Sequence, residues 1–195
     1  MRKSKKVLIL RFSSYGDVAI MIPVLRALSK AYPLDEFVVA SRPKMGPIFH
    51  EFKNIYFHPL DIDNEFKGFT GIFRLFKRLR NLNPTHIADL HYVIRTRIIG
   101  FLFRVLGYKV RRIDKGRKQK NALTRIKNKL FEPLTPTVFR YSKVFSKLGF
   151  RIDITKTEII QKNPLPEKLK DFFYSDKKKW IAIAPFASYE GKTYP

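Results

Sequence analysis

An α/β fold, a parallel sheet flanked by helices, is what this sequence predicts, on three observations. The run Val7-Leu8-Ile9-Leu10 is short, continuous and apolar, as suits a strand buried on both faces. A polar turn over residues 11–17 follows, and then Val18, Ile22, Leu25 and Leu28 recur at helical spacing. Strand-like and helix-like stretches alternate from there on, the pattern of parallel strands joined by crossovers.

The first helix stops at Tyr32-Pro33, because proline lacks the amide a helix needs. Pro23 suits either the first turn of that helix or a kink after a preliminary turn over residues 17–22. Residues 36–41 read as the second strand, 42–47 as a turn, 48–52 as a short helix and 54–57 as the third strand. After a polar loop, Ile72, Leu75, Phe76, Leu79 and Leu82 form an apolar helical stripe, with Arg74, Lys77, Arg78 and Arg80 off it. Residues 86–90 give a fourth strand, 96–107 an apolar helix closed by Gly107, and 109–113 a short fifth strand. The stretch 115–129 is basic, with Ile126 and Leu130 as its late apolar anchors. Residues 135–148 form an amphipathic helix ending at Gly149. Pro164-Leu165-Pro166 marks a linker, and 167–173 a short helix.

Composition narrows the function classes. With 195 residues the chain holds one full domain and little more. It has no cysteine, so disulfides and thiolate metal sites are excluded, and its four histidines do not cluster as ligands. A net charge of +24 implies an anionic partner: nucleic acid, anionic lipid or a phosphorylated substrate. Residues 72–129 carry 17 of the 40 Lys and Arg against only Asp89 and Asp114, which reads either as a solvated basic surface or as a funnel for an anion. No apolar run nears the roughly 18 residues of a membrane span. Residues 7–10 are too short for a signal peptide's apolar core. The expectation is a cytoplasmic chain that meets the inner face of a membrane.

In open α/β sheets ligands bind beyond the carboxyl ends of the strands. Ser13, Ser14, Gly16 and Asp17 occupy that place after the first strand. Gly16 permits a close backbone approach or a positive φ, the serines offer hydroxyls, and Asp17 is a carboxylate at a helix start. Asp17 is therefore either a helix cap or a catalytic group. A dinucleotide fingerprint is ruled out by the single glycine, and no phosphate-cradling Gly-Lys-Ser/Thr is present. Asp89 and His91, two apart at the end of the fourth strand, share a face if the strand continues, as a direct pair or as a solvated polar end.

The segment Lys6-Val-Leu-Ile-Leu-Arg-Phe-Ser-Ser-Tyr-Gly-Asp17, with Pro23-Val-Leu-Arg-Ala-Leu28 and Tyr32-Pro33, resembles the amino terminus of glycosyltransferase family 9, the lipopolysaccharide heptosyltransferases and their relatives. Trp180-Ile-Ala-Ile-Ala-Pro-Phe-Ala-Ser-Tyr-Glu-Gly-Lys-Thr-Tyr-Pro195 looks like the strand and loop that open the family's second domain, with Phe186 for the usual glycine and Tyr194 for the usual tryptophan. Ile87-Ala-Asp-Leu-His91 with Arg95-Thr96 is similar to a family Asp-Leu-Gln-Gly strand and the Arg-Ser after it, with His91 for the glutamine.

The resemblance implies two Rossmann-like domains facing across a cleft, the GT-B arrangement. Residues 1–163 would be the acceptor domain, and 164–195 a linker plus the first strand of an incomplete nucleotide-sugar domain. It implies an inverting transfer from a nucleotide sugar, ADP-heptose-like, to a lipopolysaccharide core or related anionic glycolipid. Asp17 matches the family's general base and Lys192 a lysine near the donor's phosphates. Ser188, Ser13, Ser14, Gly16 and Arg95 fall in substrate-binding positions. No metal or other cofactor is expected. Completing the second domain takes on the order of another 130–150 residues, so this chain is expected not to transfer sugar alone. The competing expectations are a basic nucleic-acid-binding α/β domain, which basic residues interleaved with aromatics would suit, and a non-catalytic acceptor-binding remnant.

Overall fold

A computed structural model describes residues 3–49 and 52–155, together with the isolated positions 167, 181, 183 and 193. The chain divides into two compact units, Met1–Thr157 and Glu158–Pro195. The helix expected over 167–173 and the strand expected over 180–184 lie, apart from isolated positions, outside the described residues.

The first unit is a five-stranded parallel sheet with helices on both faces. Its strands are β1 (Lys6–Leu10), β2 (Glu36–Ser41), β3 (Ile55–Pro59), β4 (His86–Asp89) and β5 (Lys109–Arg112), in the spatial order β3-β2-β1-β4-β5. Among the described residues six α-helices accompany them: α1 (Tyr15–Ala19), α2 (Ile22–Ala31), α3 (Gly68–Arg80), α4 (Ile94–Val105), α5 (Arg117–Thr124) and α6 (Thr137–Leu148).

β1 is central, so both faces of its alternating side chains are covered. Val7 and Ile9 point into a core completed by Val24, Leu25 and Leu28 of α2 and Tyr141, Val144 and Phe145 of α6. Leu8 and Leu10 enter the opposite core, built on Ile72, Leu75 and Leu79 of α3 and Ile99 and Phe103 of α4. Burying each such side chain stabilises the fold by about 1.5–3 kcal/mol, which is why the four buried positions of β1, Val7 to Leu10, are all apolar.

Local departures from expectation have local causes. Both readings of Pro23 hold, because α1 is a separate short turn and Pro23 sits in the first turn of α2. A 3-10 helix covers Pro43–Phe49, where a turn followed by a short helix was expected. It buries Met45 and Phe49, and that packing organises the turn residues. The basic stretch contains α5, which buries no residue. Ile126 and Leu130, expected to anchor that stretch, are exposed. Gly149 ends α6 in the left-handed conformation, φ 94°, as a glycine stop should.

Candidate functional site

The strand order places a crevice by topology. The crossover from β1 to β2 runs through α2 on one face of the sheet, and the crossover from β3 to β4 runs through α3 on the other. The chain therefore leaves β1 and enters β4 on opposite faces, and the carboxyl ends of these neighbours are not roofed by a common helix. Leu10 pairs with Asp89 in register, so Arg11 to Ser14 and Leu90 to His91 emerge side by side.

Arg11 ties the two ends together. Its Nη1 donates to the carbonyl oxygen of Leu90 at 2.7 Å, and its Nη2 forms an ion pair with Asp17 Oδ2. The Arg11 side chain is 8% exposed and that of Asp17 38%, so a buried cation holds a carboxylate at a water-accessible rim. Asp17 stands three residues beyond Ser14, which caps α1. Its Oδ2 also accepts from Ser14 Oγ at 3.2 Å and from the Ser14 amide at 3.5 Å. All these contacts fall on Oδ2, so among the described residues Oδ1 is left for another donor. Tyr141 reaches across from α6 and donates its hydroxyl to the Asp17 carbonyl oxygen at 3.3 Å. Burial pushes that phenol up to about 12, so it remains a donor.

Asp89 and His91 do not form the direct pair that shared strand alternation allows. β4 ends at Asp89 and the chain turns, so the period of two no longer applies. The Asp89 carboxylate accepts the main-chain amides of His91 at 3.0 Å and Tyr92 at 2.7 Å. The solvated reading fails for Asp89, which is buried and whose pKa desolvation raises against the pull of those amides, whereas His91 is partly exposed and faces the cleft. The His91 ring lies 3.3 Å from Ser13 Oγ through Nε2 and edge-on to Phe12. Burial, then the charges of Arg11 and Lys115, push His91 down to about 4, so its ring is neutral at pH 7.

Ser13 and His91 open onto a cleft of about 530 Å³, whose cations are Arg42, Arg95, Arg97, Lys115 and Arg117. Arg95 is tethered there by donating to the Ile62 carbonyl oxygen at 3.0 Å. Lys115 has its pKa lowered by burial and then by Arg11 and Arg117, the signature of cations crowded together. The structure thus brings Ser13 and Arg95 into one cleft, with the Ser14–Asp17 pair following Ser13 in the chain. Gly16 differs from one expectation, because it is helical and has no positive φ. A Cβ there would meet nothing within 4 Å, so the glycine keeps space open beside Asp17. Ser188 and Lys192 lie outside the described residues. Sequence reasoning passed over Arg11, Arg42, Lys115 and Arg117. For Arg11 a signal existed, an arginine directly continuing a wholly apolar strand. Lys115 and Arg117 fall in the basic stretch that the charge count marks out, and for Arg42 only the folded chain supplies a signal.

Among the described residues no three His, Asp or Glu side chains are grouped to hold a metal ion, and no helix is long and apolar enough to cross a membrane. Many of the aromatic side chains that could have stacked bases are core residues, among them Phe37, Phe66, Phe103, Phe145 and Phe150.

A parallel sheet in this order, with polar and charged groups gathered at its switch point, defines the class: a Rossmann-like α/β domain, a fold whose ligands bind beyond the carboxyl ends of its strands. Solved structures make the likeness particular. The chain is similar to a glycosyl transferase of family 9 from Veillonella parvula, with 18% identity and a TM-score of 0.66 over the whole of this chain and 58% of that one. It is also similar to the E. coli heptosyltransferase WaaC with ADP, at 19% identity and a TM-score of 0.51, over 76% of this chain and 49% of that one. WaaC with ADP-2-deoxy-2-fluoro heptose gives 18% identity and a TM-score of 0.53, over 78% and 51%. At these identities the likeness is one of fold, and the chain spans about half the length of the structures it matches. No protein-family profile and no curated protein matches the chain.

Proposed function

We propose that this chain supplies the acceptor side of an inverting glycosyltransferase of the family-9 type, and that Asp17 is its general base. The observation that carries this reading is the Asp17 carboxylate at the rim of the switch-point crevice, held through Oδ2 by Arg11 and Ser14 with Oδ1 uncommitted. In the proposed step an acceptor hydroxyl gives its proton to Asp17 while its oxygen attacks the anomeric carbon of the sugar. The bond from that carbon to the nucleoside diphosphate breaks, and the diphosphate leaves with the electron pair. Arg11 keeps the carboxylate aimed, and the space beside Gly16 admits the acceptor.

A nucleotide-sugar donor of the ADP-heptose kind is supported by the fold shared with WaaC structures that hold ADP and an ADP-heptose analogue. Lys192 and Ser188 are assigned to the donor's phosphates by sequence resemblance. An anionic acceptor of the lipopolysaccharide-core type fits the cations of the cleft, above all Arg95, Lys115 and Arg117, since Arg42 is already paired with Asp63. The site of action on this reading is the cytoplasmic side of the inner membrane.

The test is sugar transfer by a protein that carries this chain together with a complete nucleotide-sugar domain. Asp17→Asn keeps the Ser14 contact and removes the base, so kcat should fall by about 10²–10⁴-fold with little change in donor KM. Undiminished transfer removes Asp17 from the chemistry and the proposal with it.

A further inference from the structure

Between β5 and α6 the chain makes an excursion, and over residues 117–136 none of its side chains joins the core. α5 buries no residue, and the loop after it is tied back by the Leu130 amide donating to the Ala122 carbonyl oxygen at 3.0 Å. Three apolar side chains of this loop stand in solvent: Ile126 is 93% exposed, Phe131 82% and Leu130 50%. Around them, residues 117–131 hold six Lys and Arg and no Asp or Glu. At the base of the excursion Lys118 shares a cavity of about 820 Å³ with Arg104, Arg140, Lys143 and Lys147, and Asp114 is the one acid in its lining.

We infer that this excursion is a membrane-docking surface for an anionic bilayer. Ile126, Leu130 and Phe131 enter the boundary between headgroups and acyl chains, and the surrounding cations meet the lipid phosphates. Charge complementarity selects an anionic partner. The apolar side chains select a lipid one, because isoleucine and leucine find no stacking partner on a nucleic acid, whereas basic and apolar groups together are what an interfacial anchor needs. Each Lys or Arg near an anionic leaflet adds about 1 kcal/mol, roughly fivefold in partition, so several cations and a short apolar tip suffice for reversible binding. The inference rests on charge and exposure alone and is independent of the sugar-transfer reading. A chain that binds vesicles and transfers no sugar leaves it intact.

The experiment is co-sedimentation of the full chain with phosphatidylcholine vesicles, with and without phosphatidylglycerol, and single-stranded RNA as a control. The chain should pellet with the anionic vesicles only. The double variant Ile126→Ser, Phe131→Ser should lose about tenfold or more in partition, with an unchanged melting temperature because neither side chain is buried. As a second readout, Phe131→Trp should shift its emission to the blue with anionic vesicles and not with neutral ones. The inference is overturned if the double variant pellets like the parent, or if neutral vesicles bind equally. It is overturned also if RNA binding falls in parallel with vesicle binding in the double variant, which would assign the loop to nucleic acid.

Discussion

Asp17 lies beyond the end of β1 and Asp89 closes β4 of the same sheet, and their surroundings differ. Asp17 keeps a face in water at the rim of the crevice, whereas Asp89 is sealed in and holds two amides of the turn it organises through Oδ1. Asp89→Asn retains an acceptor oxygen for those amides and removes a buried charge, so stability should change little or rise. Asp89→Ala orphans both amides and should cost about 1–3 kcal/mol, as read from denaturant midpoints. The histidines set a pH dependence. His91 is held at about 4 against an ordinary 6.5, and burial lowers His58 and His86 in the same direction. The unfolded chain takes up these protons first as pH falls, so their contribution is complete above 6.5 and is lost as pH drops toward 4. The melting temperature should therefore decline through that window, and His91→Gln should flatten the decline. An unchanged slope in that variant would show that His91 is not the group responsible.

At the scale of elements, α1 joins sheet to site. It is a five-residue helix with one buried side chain, Val18, so it contributes little to the core and much to the placement of Asp17. Gly16 sits within it in helical conformation with free space around it. A glycine costs a helix about 0.5–1 kcal/mol relative to alanine. Gly16→Ala should accordingly raise stability by that amount while weakening binding of an anionic core oligosaccharide, measured by calorimetric titration. Stabilisation without loss of binding would mean that the acceptor does not use this space. The α5 excursion shows the converse, an element that adds nothing to the core and concentrates charge at the surface.

Across the whole molecule the net charge of +24 acts on folding and binding with opposite signs. The folded chain compresses mutually repelling cations, so salt should raise its melting temperature as the screening length falls from roughly 30 Å at 0.01 M to 3 Å at 1 M. The same salt should weaken its hold on any anionic ligand. A thermal scan and a binding titration over one salt series test both directions, and a melting temperature indifferent to salt would show that self-repulsion is not a significant term.

The sequence by itself determined the alternation of strand and helix, the burial of β1 on both faces, the glycine stops at Gly107 and Gly149, and the placing of Ser13 to Asp17 after the first strand. These are short-range matters: a continuous apolar run, a 3.6-residue period and a residue free to take a positive φ are all written within a few positions of chain. Only the tertiary structure decided that Arg11 bridges Leu90 and Asp17, that Asp89 serves its own turn and not His91, and that Lys115 and Arg117 join Arg95 in one cleft. It also decided that Ile126 and Leu130 lie outside the core. Those outcomes depend on which strand lies beside which and on where a chain turns after its last sheet bond. Packing of the whole sheet settles both, and partners nearly 80 positions apart carry no mark of each other along the sequence.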